Sequence, residues 1–472
     1  MSTPRNIHLI GICGTAMASL AGMLRQLGHR VQGSDVAAYP PMSDFLARLG
    51  IPVMQPFSEK NLSPAPDLVV VGNAISRGNP ELEYVLDHRL PMVSMAELIH
   101  QEFLTGRHSL VIAGTHGKTT TTSMTAWIFQ SAGRDPSFLI GGIAENFGSS
   151  FAVTGGSEFI IEGDEYDTAF FDKGPKFLHY FPDAVILTSV EFDHADIYRD
   201  LDAVKFAFQR LINLVPRRGR VIAWDGHQNV SDCVVRALCP VERYGFAPDS
   251  YWRITNLAHS PQGSSWSILR DGQPFGDFHF ALSGDYNVLN ATAAIALAHA
   301  YGITAAQSAT ALAGFLSVKR RLEVRAEVAG VTIIDDFAHH PTAIAATLEA
   351  LRSRYPGRRL WAVLEPRSNT LRRNIFQHEL VAALASADRV LIAAVFFKST
   401  DALKPEERLN VTEVIAELKA RGTPAAECAD ADTIVATLAP QLQSGDVVAL
   451  LSNGGFGNIY EKLPAALKER AL

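Results

Sequence analysis

No stretch of these 472 residues approaches the run of about 18 apolar side chains that a helix needs to cross a bilayer. A secretory leader is not expected either. One arginine precedes the apolar Ile7-His-Leu-Ile10, which is far too short for a signal-peptide core. Cysteine is scarce: Cys13, Cys233, Cys239 and Cys428 are scattered and form no Cys-x-x-Cys pair. That excludes a disulfide framework and points to a reducing, cytoplasmic setting. Basic tracts and low-complexity segments are missing, and the formal net charge is −7, which argues against nucleic acid or an acidic membrane as a general partner. What remains is 47% hydrophobic and 19% charged, the composition of a soluble globular protein. The chain is too long for one ordinary core, so two to four domains are expected.

The chain is organised around Val111-Ile-Ala-Gly-Thr-His-Gly-Lys-Thr-Thr120. Leu110–Ala113 is an apolar run long enough for a buried strand, Gly114 and Gly117 break it, and Thr120–Ala132 reads as a helix. A strand, a glycine loop and a helix N-terminus make an anion site, because unpaired N–H groups and the helix dipole converge there. In such a site Lys118 reaches the outer phosphates and the Thr119 hydroxyl meets Mg²⁺. The spacing departs from the general P-loop, which needs an earlier glycine where Ile112 stands.

Taken in order, residues 6–12 read as a strand, Cys13-Gly-Thr-Ala16 as a turn, Met17–Gly28 as a helix and His29–Asp35 as a second strand ending in an acid. This βαβ opening is that of a dinucleotide fold, or of any doubly wound domain, since Cys13 and Ala16 replace expected glycines. Asp67–Gly72 is a further buried strand, with Asn73 and Ala74 at its carboxyl end, where such sheets bind ligands. Beyond the phosphate loop, Phe159–Asp167 runs into four carboxylates, Glu162, Asp164, Glu165 and Asp167. Four acids at one strand end repel one another unless a cation sits among them; the other reading is a solvated acidic loop. His194 is a further metal ligand or a polar loop residue. Residues 250–282 alternate apolar and polar with glycine turns, as attached antiparallel strands do. An Ala-rich helix follows over Ala291–Tyr301, with Asn287 and Asn290 before it as caps or base contacts. Val331–Asp336, Leu360–Leu364, Arg389–Ala393 and Val447–Leu451 alternate with helices and imply a parallel sheet.

Gly114-Thr-His-Gly-Lys-Thr-Thr120, Glu162-Gly-Asp-Glu-Tyr-Asp167, Asp193-His194, Asn287-x-x-Asn290, Lys319-Arg-Arg-Leu-Glu323 and Asp335-Asp-Phe-Ala-His-His-Pro341 come in the order seen in the Mur ligases. The chain resembles that family, the ATP-dependent amide-forming enzymes of peptidoglycan synthesis, over nearly its whole length. The resemblance implies an α/β fold of three domains: a Rossmann-like UDP-sugar domain (1–105), a P-loop ATPase domain with added antiparallel strands (106–322) and a Rossmann-like C-terminal domain for the amine substrate (323–472). It implies ATP as co-substrate and Mg²⁺, with Lys118, Glu165 and His194 as the catalytic group. Thr119, Glu165 and His194 are then the metal ligands, and Gly114, Thr115, His116, Gly117, Lys118, Thr119, Thr120, Asn287, Asn290, Arg321 and Asp335 hold ATP. Gly11, Cys13, Gly14, Thr15, Ala16, Ser34, Asp35, Asn73 and Ala74 match the UDP-sugar side. Arg367, Arg372, Ser452 and Asn453 are the peptide-binding set, the arginines because a guanidinium fork suits carboxylates; the lesser alternative is surface arginines on an ordinary α/β domain.

Within the family, Asp164–Lys173, Glu191–His194, Leu364–Thr370 and Ser452–Gly457 resemble the recycling branch, which joins UDP-N-acetylmuramate to L-alanyl-γ-D-glutamyl-meso-diaminopimelate. The alternative is the branch that adds L-alanine to the same sugar, which typically has Ser where Tyr166 stands and a His-Arg pair near Arg367. Gln209 occupies the place of a lysine that several family members carbamylate, and Lys205 is out of register, so no carbamate is expected. The Asp-Asn-Pro-Arg motif of diaminopimelate-adding members is missing, which leaves the third peptide residue to whole-chain similarity. An NAD-dependent oxidoreductase would use Asp35, Gly11 and Gly14 but gives Lys118, Glu165 and His194 no task. No nucleic acid, membrane or obligatory protein partner is expected, and the C-terminal domain is expected to close on the central one when ligands bind.

Overall fold

The computed structural model of the chain describes residues 3–38, 42–395 and 403–471. They form three successive α/β layers. In the first, the described strands lie in the order Val53–Met54, Arg30–Ser34, Asn6–Ile10, Leu68–Val71, Met92–Ser94, all parallel. The chain winds outward from Asn6–Ile10 on one side, then restarts at Leu68–Val71 and winds outward on the other. That reversal opens a crevice between the loops that follow Ile10 and Val71.

The central sheet has a parallel middle of Val241–Gly245, Arg220–Trp224, Ala184–Leu187, His108–Ala113, Glu158–Gly163 and Ser137–Ala144. Its strands read as continuous apolar runs because helices cover both faces. Ser149–Ala152 pairs antiparallel at one edge, and at the other Trp252–Ser260, Gly263–Arg270 and Gln273–Phe280 form the expected antiparallel extension. The C-terminal sheet runs Glu323–Val328, Val331–Asp336, Val447–Leu451, Leu360–Leu364, Arg389–Ala393, Ala425–Cys428, antiparallel only at its first pair.

Three helices start earlier than the sequence pattern predicts. The phosphate-loop helix is Lys118–Ser131 rather than Thr120–Ala132, the first helix is Thr15–Gln26, and the Ala-rich helix is Asp285–Ala300. The added residues are polar or small in the first two, whereas in the Ala-rich helix Tyr286, Val288 and Leu289 are interleaved with Asp285, Asn287 and Asn290, which read as residues before a helix. Asn287 and Asn290 therefore lie inside a helix whose N-cap is Gly284.

One apolar cluster joins the N-terminal layer to the central sheet, from Leu20 and Met23 through Phe151 to Val185 and Phe208. Gly22 allows the approach: a Cβ there would lie 2.6 Å from the Phe151 ring. The C-terminal sheet keeps its own clusters on its two faces, with Tyr286 of the central domain packed against one of them. It also meets the central domain through its helix Pro341–Arg354, which lies against Trp252–Ser260 and the Ala-rich helix, and through hydrogen-bonded loops. Among the described residues no helix is long and apolar enough to cross a membrane.

Candidate active site

The strand His108–Ala113 delivers the phosphate loop, and the helix takes over at Lys118. Gly117 has φ +82°, and a Cβ on it would sit 2.6 Å from Asn290 Oδ1, so only glycine lets the Ala-rich helix lie against the loop. The end of the neighbouring strand braces the same loop: Thr188 Oγ1 donates to the His116 carbonyl at 2.5 Å, and His116 N donates to Ser189 Oγ at 2.9 Å. Lys118 curls back, donating to the Gly114 carbonyl at 2.6 Å and to both Glu165 oxygens at 3.1 and 2.9 Å. Burial works against its charge, but Glu165, Asp164 and Glu162 hold the ammonium above its ordinary range.

The four acids separate into two kinds. Asp167 accepts from Lys173 at 2.9 Å and Asp164 from Lys176 at 2.5 Å, so the hairpin that follows answers these two itself. Lys176 outweighs burial and holds Asp164 down to about 2. Glu165 faces Lys118 and, at 3.2 Å, His194 Nε2. Glu162 accepts from Gly141 N at 2.5 Å and from the Thr119 hydroxyl at 3.2 Å. It makes no ion pair with a lysine or arginine among the described residues, and its burial raises the carboxyl. The Thr119 hydroxyl with the buried, incompletely neutralised Glu162 carboxylate offers hard oxygen donors of the kind a divalent cation takes, while Glu165 is held between Lys118 and His194; Glu162, Glu165 and His194 do not converge into one cluster of ligand atoms. Glu162, which the sequence placed in the acidic run without a role, is the carboxylate beside Thr119. Lys205 and Gln209 both turn to Asp232, to its carboxylate and its carbonyl respectively.

A cavity of about 330 Å³ lies between the phosphate loop, the Ala-rich helix and the C-terminal domain. Thr115–Thr120, Asn287, Asn290, Arg321 and His194 line it, and Gly114 does not. Its apolar wall, including Trp224, Tyr286 and Leu289, carried no motif and went unread. Asp335 is not on the wall. It turns the other way, to Arg320 Nε at 3.2 Å, and the next residue, Asp336, faces the cavity with Arg321. Successive side chains of a strand point to opposite faces, so in a pair of adjacent acids only one looks into the cleft. Across it, His116 and His340 flank Glu191, which also accepts from Thr342 Oγ1 at 2.7 Å. These three lie close enough together to hold a metal; His340 Nδ1 accepts Thr342 N at 3.3 Å and caps its helix, while the buried Nε2 atoms of His116 and His340 have no hydrogen-bond partner among the described residues. Burial lowers His340 to about 4. Burial opposes the charge of Glu191, but His116 beside it holds it down to about 2.

In the N-terminal layer, Gly14, Thr15, Ala16, Asn73 and Ala74 are exposed around the crevice, with Gly11 and Cys13 half-buried beside them. Asp35 accepts Cys13 N at 2.9 Å and so shapes this loop. Ser34 is fully buried and donates to Glu81, so its hydroxyl faces the interior. Among the peptide-side residues, Arg367 lies along Gly454 and reaches Glu365 at 3.4 Å, near Asn453. The Ser452 hydroxyl is buried against Glu365. Arg372 is buried and donates to Asn369 at 2.8 Å, so it braces a loop rather than lining an open surface.

Family models cover most of the chain: a Mur ligase family catalytic-domain model over residues 6–105, a Mur ligase middle-domain model over 112–298, and a Mur ligase glutamate-ligase-domain model over 320–454. The chain belongs to the Mur ligase family. It is 42% identical to the UDP-N-acetylmuramate–L-alanyl-γ-D-glutamyl-meso-2,6-diaminoheptandioate ligase of Escherichia coli (strain K12), over 98% of this chain and 99% of that one. Among solved structures, a murein peptide ligase from Psychrobacter arcticus 273-4 superposes with a TM-score of 0.74 at 35% identity, covering 98% and 99% of the two chains. The UDP-N-acetylmuramate–alanine ligase of Thermotoga maritima shares the fold, with a TM-score of 0.81 at 21% identity and coverage of 99% and 100%.

Proposed function

We propose that this chain joins the carboxylate of UDP-N-acetylmuramate to the α-amine of L-Ala-γ-D-Glu-meso-diaminopimelate at the expense of ATP, in peptidoglycan recycling. A carboxylate resists amines because its charge repels attack and it has no leaving group. ATP converts it to an acyl phosphate, and the amine then displaces phosphate through a tetrahedral intermediate. Residues 1–105 hold the UDP-sugar around Gly11–Ala16, Asp35, Asn73 and Ala74. Residues 106–322 hold ATP with the phosphate loop, Asn287, Asn290 and Arg321. Residues 323–472 present the peptide near Arg367 and Asn453.

The chemistry rests above all on one juxtaposition: Glu165 stands between Lys118 at 2.9 Å and His194 at 3.2 Å, beside the phosphate loop. Lys118 fixes a positive charge where the γ-phosphate is handed over. Thr119, Glu165 and His194, with Glu162 beside Thr119, are the residues that would hold Mg²⁺, which when bound would offset negative charge as phosphate and carboxylate approach.

Purified protein given ATP, Mg²⁺ and UDP-N-acetylmuramate is expected to release ADP and phosphate with the tripeptide. Release with L-alanine, and none with tripeptide, would replace this reading by the alanine-adding one. Lys118→Ala is expected to abolish turnover while leaving UDP-sugar binding intact.

A further inference from the structure

His194 has φ +55°, a backbone setting that a residue with a side chain keeps only when its surroundings hold it. Its own domain supplies part of the hold: His194 N donates to Asp193 Oδ1 at 2.7 Å, and the His194 carbonyl accepts Ile197 N at 2.8 Å and Tyr198 N at 3.0 Å. The C-terminal domain adds bonds to the residues on either side. Thr370 Oγ1 donates to the same Asp193 Oδ1 at 2.5 Å and accepts Ala195 N at 3.4 Å, so one hydroxyl bonds on both sides of His194. The preceding residue, Asn369, donates to Asp196 Oδ2 at 2.8 Å, and Arg372 steadies Asn369 from behind at 2.8 Å. Asp196 also faces the Tyr166 hydroxyl at 3.4 Å, and the Tyr166 ring meets the His194 ring edge-on at 4.3 Å. Thr370 and Asp193 are 2% and 5% exposed, so water does not stand in for the bond.

We propose that Thr370, with Asn369 beside it, is a positioning residue: it ties the approach of the C-terminal domain to the orientation of His194 toward Glu165. The inference rests on the assignment of His194 to the nucleotide side of the site. It gives a role to the tail of Leu364–Thr370, a segment in which only Arg367 had one. Without the C-terminal domain in place, Asp193 loses a donor and the 193–196 loop keeps only its own bonds. The phosphoryl-transfer group is then complete only once the domain that brings the amine has docked, which limits idle hydrolysis of ATP.

The test compares full-length Thr370→Val, which keeps the shape without the hydroxyl, with Thr370→Ser, which keeps the hydroxyl. Turnover is followed by ADP release, and hydrogen exchange of the peptide spanning 190–200 is followed with and without an ATP analogue plus UDP-sugar. Thr370→Val is expected to lower kcat about 30-fold, the size of one lost bond to a charged group, with KM for the UDP-sugar within about two-fold. Exchange in 193–198 of its liganded form is expected to rise at least about five-fold, while Thr370→Ser stays within about three-fold of wild type in both readouts. Wild-type kcat in Thr370→Val, equal impairment in Thr370→Ser, or a kcat loss without faster exchange would each overturn the proposal. If Thr370→Val melts early, Asn369→Ala carries the same comparison with an expected five-fold effect. His194→Ala runs in parallel: full turnover there would remove the site assignment, while the exchange data still judge the clasp by themselves.

Discussion

Replacing Lys118 by methionine separates what this residue does for the fold from what it does for the reaction. Its side chain is 15% exposed and that of Glu165 2%, with the charged atoms 2.9 Å apart. Removing one member of such a pair leaves the other charge buried and costs about 3–5 kcal/mol. His194 stays at 3.2 Å from Glu165 and moderates the loss, so about 3 kcal/mol is expected for Lys118→Met. For a domain the size of the central one this lowers the melting midpoint by about 6–12 °C. The double variant Lys118→Met/Glu165→Gln replaces the orphaned carboxylate by a neutral amide, and its stability is expected within about 1 kcal/mol of wild type. Turnover behaves oppositely: both variants are expected to fall at least about 100-fold, because the fixed charge at the phosphate loop is gone in each. Scanning calorimetry and a coupled ADP assay on the three proteins give the two readouts. If the single variant melts with wild type, or the double variant is no more stable than the single, the buried pair is not what this reasoning takes it to be.

Gly117→Ala places a methyl group 2.6 Å from Asn290 Oδ1 on a left-handed backbone, and nucleotide affinity measured by calorimetry is expected to fall at least about ten-fold; unchanged affinity would show that the loop and the Ala-rich helix do not act together. His340 is held at about 4 rather than 6.5, so the unfolded imidazole takes a proton that the folded one refuses. Stability is therefore present above pH 6.5 and lost as pH falls from 6.5 through 4, by roughly 3 kcal/mol. His340→Asn, which keeps a capping acceptor for Thr342 N, is expected to flatten that part of the urea-midpoint profile, and a profile as steep as wild type would assign the slope to other groups. Glu81 is fully buried and accepts from Ser34, Asn61, the Ser58 amide and, on the tautomer with its proton on Nε2, His8. Glu81→Leu orphans these donors and is expected to cost at least about 3 kcal/mol and to weaken UDP-sugar binding next to Ser34 and Asp35, read by urea unfolding and ligand titration; a neutral substitution would refute the network's role.

The sequence alone determined the order of αβ units, the phosphate loop and the family. Each of these rests on contiguous residues, in which a buried apolar run, a glycine break and a Lys-Thr at a helix start sit within one short segment. The polar or small first turns of the phosphate-loop helix and the first helix escaped it because they carry no apolar period. Tertiary structure decided which groups face the chemistry. Strand alternation turned Asp335 toward Arg320 and Asp336 into the cleft. Lysines of a following hairpin took Asp164 and Asp167 and left Glu162 beside Thr119. Ser34 and Ser452, which sit at or just beyond the carboxyl ends of strands, spend their hydroxyls on buried glutamates. The clasp on His194 joins residues 177 positions apart, between two domains whose cores are separate. Contacts of that span follow from how sheets pack and loops meet, and no local pattern in the chain encodes them.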